Sequence, residues 1–379
     1  MENNNDLSKL EPWNSGENKI KVNSIRYNND YTLFCLGTSQ GYRIFSTNTL
    51  KLLSEDNEKV NNLGDIFISM VYFQSSLVFF LPSSKNPNFS SKEFIIFDDS
   101  THEKICSFKE KHEEFLNFFV SKNVIFLISL SKIIVIELCS FNVIDIIDNI
   151  NSMNKLLSFN SCDFIAYSLI NDKKKVFIKY YNSEKNKVKA LTKKEISSNF
   201  EYIQTIQLSP SGDAVGVVSI FGNKIHIYNT QNGKLKSCLF LGQNILSVDK
   251  LLFSEKKANY IFILKNDNRF NIYKLNKKDS SSPKCVCDKY DDKNITSEGE
   301  GNKSKSGGIF GFFRKISKNK DVCESHAFSS YENKALFIDF DRNQKKDIII
   351  IDNLGKITKF HYNKKPSGSL SPTFSIQWE

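Results

Sequence analysis

Apolar residues along this chain come in short runs, most of them with an aromatic residue, and each run breaks into a polar turn. Seven such runs stand out: 42–45 (YRIF) before STNT, 94–97 (FIIF) before DDST, 133–136 (IIVI) before ELCS, 176–181 (VFIKYY) before NSEK, 225–228 (IHIY) before NTQNGK, 270–273 (FNIY) before KLNKK, and 357–362 (ITKFHY) before NKK. β-Branched and aromatic residues in runs this short predict strands. A second apolar run precedes each, at 31–36, 76–81, 124–128, 164–169, 214–219, 260–264 and 347–351, and a shorter one follows most of them, as at 104–108, 143–147 and 235–241. The longest apolar stretch, 66–81, is broken by Gln74, Ser75 and Ser76, so it reads as two strands and a turn and is too short for a membrane-spanning helix. No long segment keeps a helical period.

Most neighbouring runs lie about 40–50 residues apart, the spacing of a four-stranded propeller blade. The pattern therefore predicts an all-β fold, a seven-bladed β-propeller of four-stranded antiparallel blades, in which closing the ring limits exposed sheet edges. A two-sheet sandwich is the structural alternative, but it needs neither seven evenly spaced copies nor this length. Few units carry the Trp-Asp signature of ordinary WD-type blades, which makes the propeller a divergent one. The expected organisation is a flexible N-terminus at 1–18, a single propeller domain over 19–379, an insertion at about 277–322 that is largely disordered, and a short tail from about 364.

Composition adds a direction to this scaffold. The 379 residues suffice for one large all-β domain or two ordinary ones, and a hydrophobic content of 40% supports a full core. A net charge of +10 suits an anionic partner, whether nucleic acid, acidic protein or anionic membrane. No dense run of arginine with interleaved aromatics argues for nucleic acid, so none is expected as a partner. The polar, acidic start (MENNNDLSKLEPW) has no hydrophobic signal region, and a soluble intracellular protein is expected. Cys35, Cys106, Cys139, Cys162 and Cys238 fall within apolar patterns and are expected to be reduced core residues. Cys285, Cys287, Cys323 and His326 flank a polar loop, but their long separation and C-x-C start argue against zinc, and no metal or cofactor is expected.

The first part of the insertion is polar and fits disorder. Its second part sets Ile309, Phe310, Phe312 and Phe313 beside Arg314 and Lys315, with Lys318 and Lys320 following. An apolar wedge with flanking cations suits an anionic bilayer surface, and a core strand or short helix over 309–316 is the alternative.

Three stretches carry a family resemblance: 26–45 (RYNNDYTLFCLGTSQGYRIF), 93–100 (EFIIFDDS) and 209–230 (SPSGDAVGVVSIFGNKIHIYNT). In order and spacing they resemble blades one, two and five of the PROPPIN family, seven-bladed propellers that bind phosphoinositides and act in autophagy. The resemblance covers nearly the whole chain and sets the insertion where the family carries a membrane-contacting loop. It implies a site centred on F/L-R-R-G, whose adjacent arginines point to opposite sides of a strand and each serve one phosphate pocket. Here that motif reads Leu239, Phe240, Leu241 and Gly242, so both arginines are gone. Ser219 matches the family's serine in the first pocket, whereas Asn223, His226 and Asn199 stand in for its Thr, Arg and His. Residues 264–271 (LKNDNRFN) replace the second-pocket pattern, leaving Lys224, Lys265 and Arg269 as sources of charge.

Two functions follow from the resemblance. One is a non-enzymatic adaptor at membranes marked by phosphatidylinositol 3-phosphate, with weakened lipid binding and autophagy-type protein partners. It would be a cytoplasmic monomer, peripherally associated with endosomal, vacuolar or autophagosomal-type membranes. Partner docking would use loops such as 83–91 and, by resemblance, the surface near Asp98 and Asp99, although an Asp pair closing a strand is also ordinary turn chemistry. The other is a protein-docking propeller that has lost lipid binding. Catalysis is not expected, because His102, His112, His226, His326 and His361 are scattered and no G-x-S-x-G, P-loop or H-E-x-x-H is present.

Overall fold

The computed structural model describes residues 20–49, 51–56, 62–150, 156–184, 187–198, 200–241, 247–254, 260–265, 270–275, 335–340, 347–352, 357–361 and 372–376. The insertion at 277–322, with its cysteines and its apolar wedge, lies outside them. Among the described residues there are strands and turns and no helix, so no helix there is long and apolar enough to cross a membrane.

Among the described residues, strands follow one another in seven antiparallel sheets, six of four strands and one of three. The first sheet is β1 (Val22–Tyr27), β2 (Leu33–Thr38), β3 (Gly41–Ser46) and β4 (Leu52–Glu55). The second is β5 (Ile66–Val71), β6 (Leu77–Pro82), β7 (Glu93–Asp98) and β8 (Glu103–Lys109), and the third is β9 (Asn117–Val120), β10 (Val124–Ile128), β11 (Lys132–Glu137) and β12 (Val143–Asp148). The fourth comprises β13 (Leu157–Phe159), β14 (Phe164–Leu169) and the long hairpin β15 (Asp172–Glu184) and β16 (Lys187–Ser197). The fifth is β17 (Ile203–Leu208), β18 (Ala214–Ser219), β19 (Lys224–Asn229) and β20 (Leu235–Phe240). The sixth has β21 (Val248–Phe253), β22 (Tyr260–Lys265) and β23 (Phe270–Lys274), and the seventh β24 (Ala335–Phe340), β25 (Asp347–Asp352), β26 (Ile357–His361) and β27 (Pro372–Ile376). Each of the seven aromatic-rich runs lies in the third strand of a sheet, and each preceding apolar run lies in the second. The strands group into two compact units, β1–β12 with β24–β27, and β13–β23.

Burial explains why second strands read as unbroken apolar runs. β6, β10 and β18 are buried almost end to end, whereas the fourth strands β4, β8 and β12 are largely exposed. Successive residues of a strand point to opposite faces, and here both faces are covered. In β6, Val78 and Phe80 join the core against the first sheet, while Phe79 and Leu81 join the core against the third. The fifth sheet does the same: Val215 and Val217 pack toward the fourth sheet, Ala214 and Val218 toward the sixth. Gly216 belongs to the latter face, and a Cβ there would come within 2.7 Å of Leu251, so only glycine admits that spacing.

Polar groups tie the first three sheets together. In the 26–45 stretch, Gly41 adopts φ 79° and donates its N–H to the Gly64 carbonyl at 2.7 Å, while the Thr38 hydroxyl donates to the Gly41 carbonyl at 2.9 Å. The Tyr42 hydroxyl donates to Asp99, which also accepts from Ser54 Oγ at 3.0 Å. Asp98 closes the turn after β7 by accepting from the backbone N–H and the hydroxyl of Ser100, and these hydroxyl bonds, with one from Ser76, hold its carboxyl down at about 2. Asp99 therefore anchors the first sheet and Asp98 makes a turn. Arg26 reaches from β1 to the third sheet, donating to the Phe118 carbonyl and to Asn117 with its guanidinium 5.3 Å from the Phe118 ring centre. Burial lowers its pKa to about 10.

One expectation fails here. Cys139 and Cys162 are exposed, and only Cys35 is fully buried among the described cysteines. Both exposed residues sit in tight polar turns, after β11 and before β14, where an apolar neighbourhood in sequence does not place the side chain in the core. Burial pushes the Cys35 thiol up to about 12. Thiol alkylation of the native chain at neutral pH, read by peptide mass, is expected to modify Cys139 and Cys162 readily and Cys35 only after unfolding. Arg26→Ala, which leaves the Phe118 carbonyl without its buried donor, is expected to lower stability by about 2–4 kcal/mol in chemical denaturation. Arg26→Lys should recover little of it, because an ammonium lacks the planar fork that serves both acceptors.

Candidate functional site on the fifth sheet

The residues picked out by motif converge on one end of the fifth sheet. Ser219 ends β18, a turn over 220–223 follows, and Lys224 opens β19. The Ser219 hydroxyl donates to Asn223 Oδ1 at 3.0 Å and accepts from the Lys224 N–H at 3.3 Å. Ser219 and Asn223 thus close the turn on each other. Across the next strand pair, Lys224 is registered opposite Phe240, Ile225 opposite Leu239 and His226 opposite Cys238. The Leu241 N–H donates to the Asn223 carbonyl at 2.8 Å, which fixes the end of β20 beside the turn.

Strand alternation then sorts these side chains. Lys224, His226 and Phe240 share the face toward the fourth sheet; Leu239 and Leu241 lie on the opposite face and pack against the core formed with the sixth sheet. Phe240 remains 37% exposed. His226 is only 2% exposed. Its ring stacks on Phe200 at 4.2 Å between centres, and its Nδ1 lies 3.1 Å from the Tyr228 hydroxyl. The structure therefore brings together Ser219, Asn223, Leu239, Phe240 and Leu241, with His226 buried one layer below them. Gly242, Asn199, Arg269 and the loop residues Ile309, Phe310, Phe312, Phe313, Arg314 and Lys315 lie outside the described residues.

The same end carries residues that motif reasoning passed over. Tyr202, Ile220 and Phe221 are 42%, 46% and 39% exposed. Tyr202 precedes β17 and its carbonyl accepts from the Ile220 N–H at 3.1 Å. The signal was present in the sequence: Ile220 and Phe221 occupy a hairpin turn, where polar residues are usual. Lys173 of the fourth sheet lies with its ammonium 5.8 Å from the centre of the Tyr202 ring. Among the described residues no group of His, Cys, Asp and Glu is arranged to hold a metal ion.

Side-chain direction gives two different expectations for restoring the family's arginines. Phe240→Arg replaces a half-exposed side chain and should leave stability within about 0.5 kcal/mol. Leu241→Arg removes a packed leucine and brings a guanidinium against an apolar core, and should cost about 2–4 kcal/mol in chemical denaturation.

No family model matches the chain. SVP1-like protein 2 of Debaryomyces hansenii is 21% identical over 305 residues, spanning 71% of this chain and 69% of that protein. Kluyveromyces lactis Hsv2 with its complete loop 6CD superposes with a TM-score of 0.71 at 13% identity, covering 95% of this chain and 100% of the other. The complex of KlAtg21 with the coiled-coil of AgAtg16 gives 0.63 at 14% identity, over 95% of this chain and 100% of that one. The chain has the β-propeller fold of these structures, and the resemblance to the PROPPIN family carried by its motifs is matched in the fold of the Hsv2 and Atg21 structures and in the sequence of the SVP1-like relative.

Proposed function

We propose that this chain is a non-enzymatic adaptor at phosphoinositide-bearing membranes, in autophagy or membrane traffic, with weakened recognition of the phosphatidylinositol 3-phosphate headgroup. One observation carries the reading. Residues 239–241, which resemble the family motif without its arginines, end the fourth strand of the fifth sheet with Phe240 partly exposed and Leu241 packed against the core. Each lost arginine–phosphate contact is worth ~1.5–3 kcal/mol, so together they remove roughly two to four decades of headgroup affinity. What remains favours an anionic surface over a single headgroup. Residues 172–197, which include the long hairpin β15–β16, carry nine lysines against three acidic residues. The register sets Lys179 opposite Lys193 in this lysine-rich hairpin.

The solved complex of Atg21 with a coiled-coil of Atg16 supports a protein partner of coiled-coil type. Such a partner and peripheral, cytoplasmic membrane association belong to the same reading. A protein-docking propeller without lipid binding is the second reading, favoured by the apolar filling at Leu241 and by Ser219 and Asn223 bonding each other rather than facing outward unsatisfied.

Flotation with phosphatidylcholine vesicles, with and without phosphatidylinositol 3-phosphate, separates the two. The adaptor reading expects weak binding that rises when the phosphoinositide is present and falls at high salt. Absence of any vesicle binding, with a purified protein partner still bound, would leave only the docking reading.

A further inference from the structure

The end of the fifth sheet combines features that a headgroup pocket does not need. Tyr202, Ile220, Phe221 and Phe240 all remain more than a third exposed. The Ile220 N–H bond to Tyr202 and the Leu241 N–H bond to Asn223 hold three of the segments together, and register sets Phe240 beside them. Ile170, 46% exposed in the β14–β15 turn, lies just before Lys173, which covers the Tyr202 ring. Apolar side chains on a turn are unusual for solubility alone.

Three backbone donors of this turn are already bonded within the protein. The N–H groups of Ile220, Gly222 and Lys224 are bonded to the Tyr202 carbonyl, the Ser219 carbonyl and the Ser219 hydroxyl. Each donor satisfied internally is one fewer to strand when the turn enters the headgroup–acyl boundary. The charged groups around it are mainly basic. Lys173 and Lys174 are exposed and Lys224 is half-buried, with Glu201 the opposing acid, while Asp172 is paired with Lys175 at 3.2 Å. Lysines at headgroup depth beside a shallow apolar tip are the arrangement that an anionic bilayer attracts.

We propose that Ile220, Phe221 and Phe240, with Tyr202 at their edge, form a shallow insertion surface for an anionic lipid bilayer, one that does not depend on a phosphoinositide headgroup. It rests on the membrane-adaptor reading and specifies how that adaptor engages the surface. Insertion is read directly in the full chain carrying Trp13→Phe, Trp378→Phe and Phe221→Trp, mixed with phosphatidylcholine–phosphatidylserine vesicles whose acyl chains are brominated. The expected result is a blue shift of the indole emission and its quenching by bromine. In parallel, Phe221→Ser with Phe240→Ser should weaken flotation with the unbrominated vesicles by on the order of tenfold. An unshifted, unquenched indole on vesicles that the protein does bind would overturn the insertion surface and leave the adaptor reading standing. Failure to bind any vesicle, with or without phosphatidylinositol 3-phosphate, would overturn both.

Discussion

Two-sided burial of second strands such as β6, β10 and β18 is the constraint on which the rest depends. A strand such as β6, with Val78 and Phe80 on one face and Phe79 and Leu81 on the other, cannot be stable in a sheet with one wet side. It needs a neighbouring sheet on each face, and the neighbours have the same requirement. Fully burying side chains of this size is worth about 1.5–3 kcal/mol each, and a lone four-stranded sheet would forgo half of that. The same requirement confines polar function to the strand ends and the fourth strands. It also makes the buried inter-sheet polar bonds, Arg26 to Phe118 and Tyr42 to Asp99, matters of register between sheets. Leaving any of these groups unpaired in a dry interface costs more than the bond itself contributes.

Much of this was legible before any coordinates. The second and third strands announce themselves because burial on both faces demands unbroken apolar runs, and the polar turn after each third strand marks the spacing. First strands were harder to see. β13 is only three residues, and β1 mixes Asn23, Ser24 and Arg26 among its apolar positions, with Asn23 and Arg26 bonding across to other sheets. The length of the β15–β16 hairpin was hidden for a related reason: beyond Tyr181 the strands pair only with each other, and the sequence there is polar and lysine-rich. At the site, the motif positions were found by resemblance, but their directions were not. Period-two alternation says that Phe240 and Leu241 part company; only packing says which of them meets a core and which meets solvent. His226 shows the same limit: it stands at a position the resemblance gives to an arginine, and its ring is stacked on Phe200 beneath the surface.

That parting of Phe240 and Leu241 bears on how the edge came to have its present character. An arginine at the Leu241 position would have to leave the apolar interface between the fifth and sixth sheets to reach a phosphate, and its charge would need that phosphate as a partner. Leucine removes the requirement and adds a partly buried apolar contact to the interface. On the other face, phenylalanine at 240 gains little from the core, because it stays 37% exposed. Stability therefore accounts for Leu241 but not for Phe240, nor for Ile220 and Phe221 in the adjoining turn. Three apolar side chains kept in water at one sheet end, each costing solubility and none contributing much to the fold, are explained if the water is displaced in use. Headgroup recognition by point charges and surface recognition by apolar insertion are alternative ways to hold the same edge against a bilayer. On the proposed reading, apolar insertion by this edge takes over the role that point charges serve in headgroup recognition.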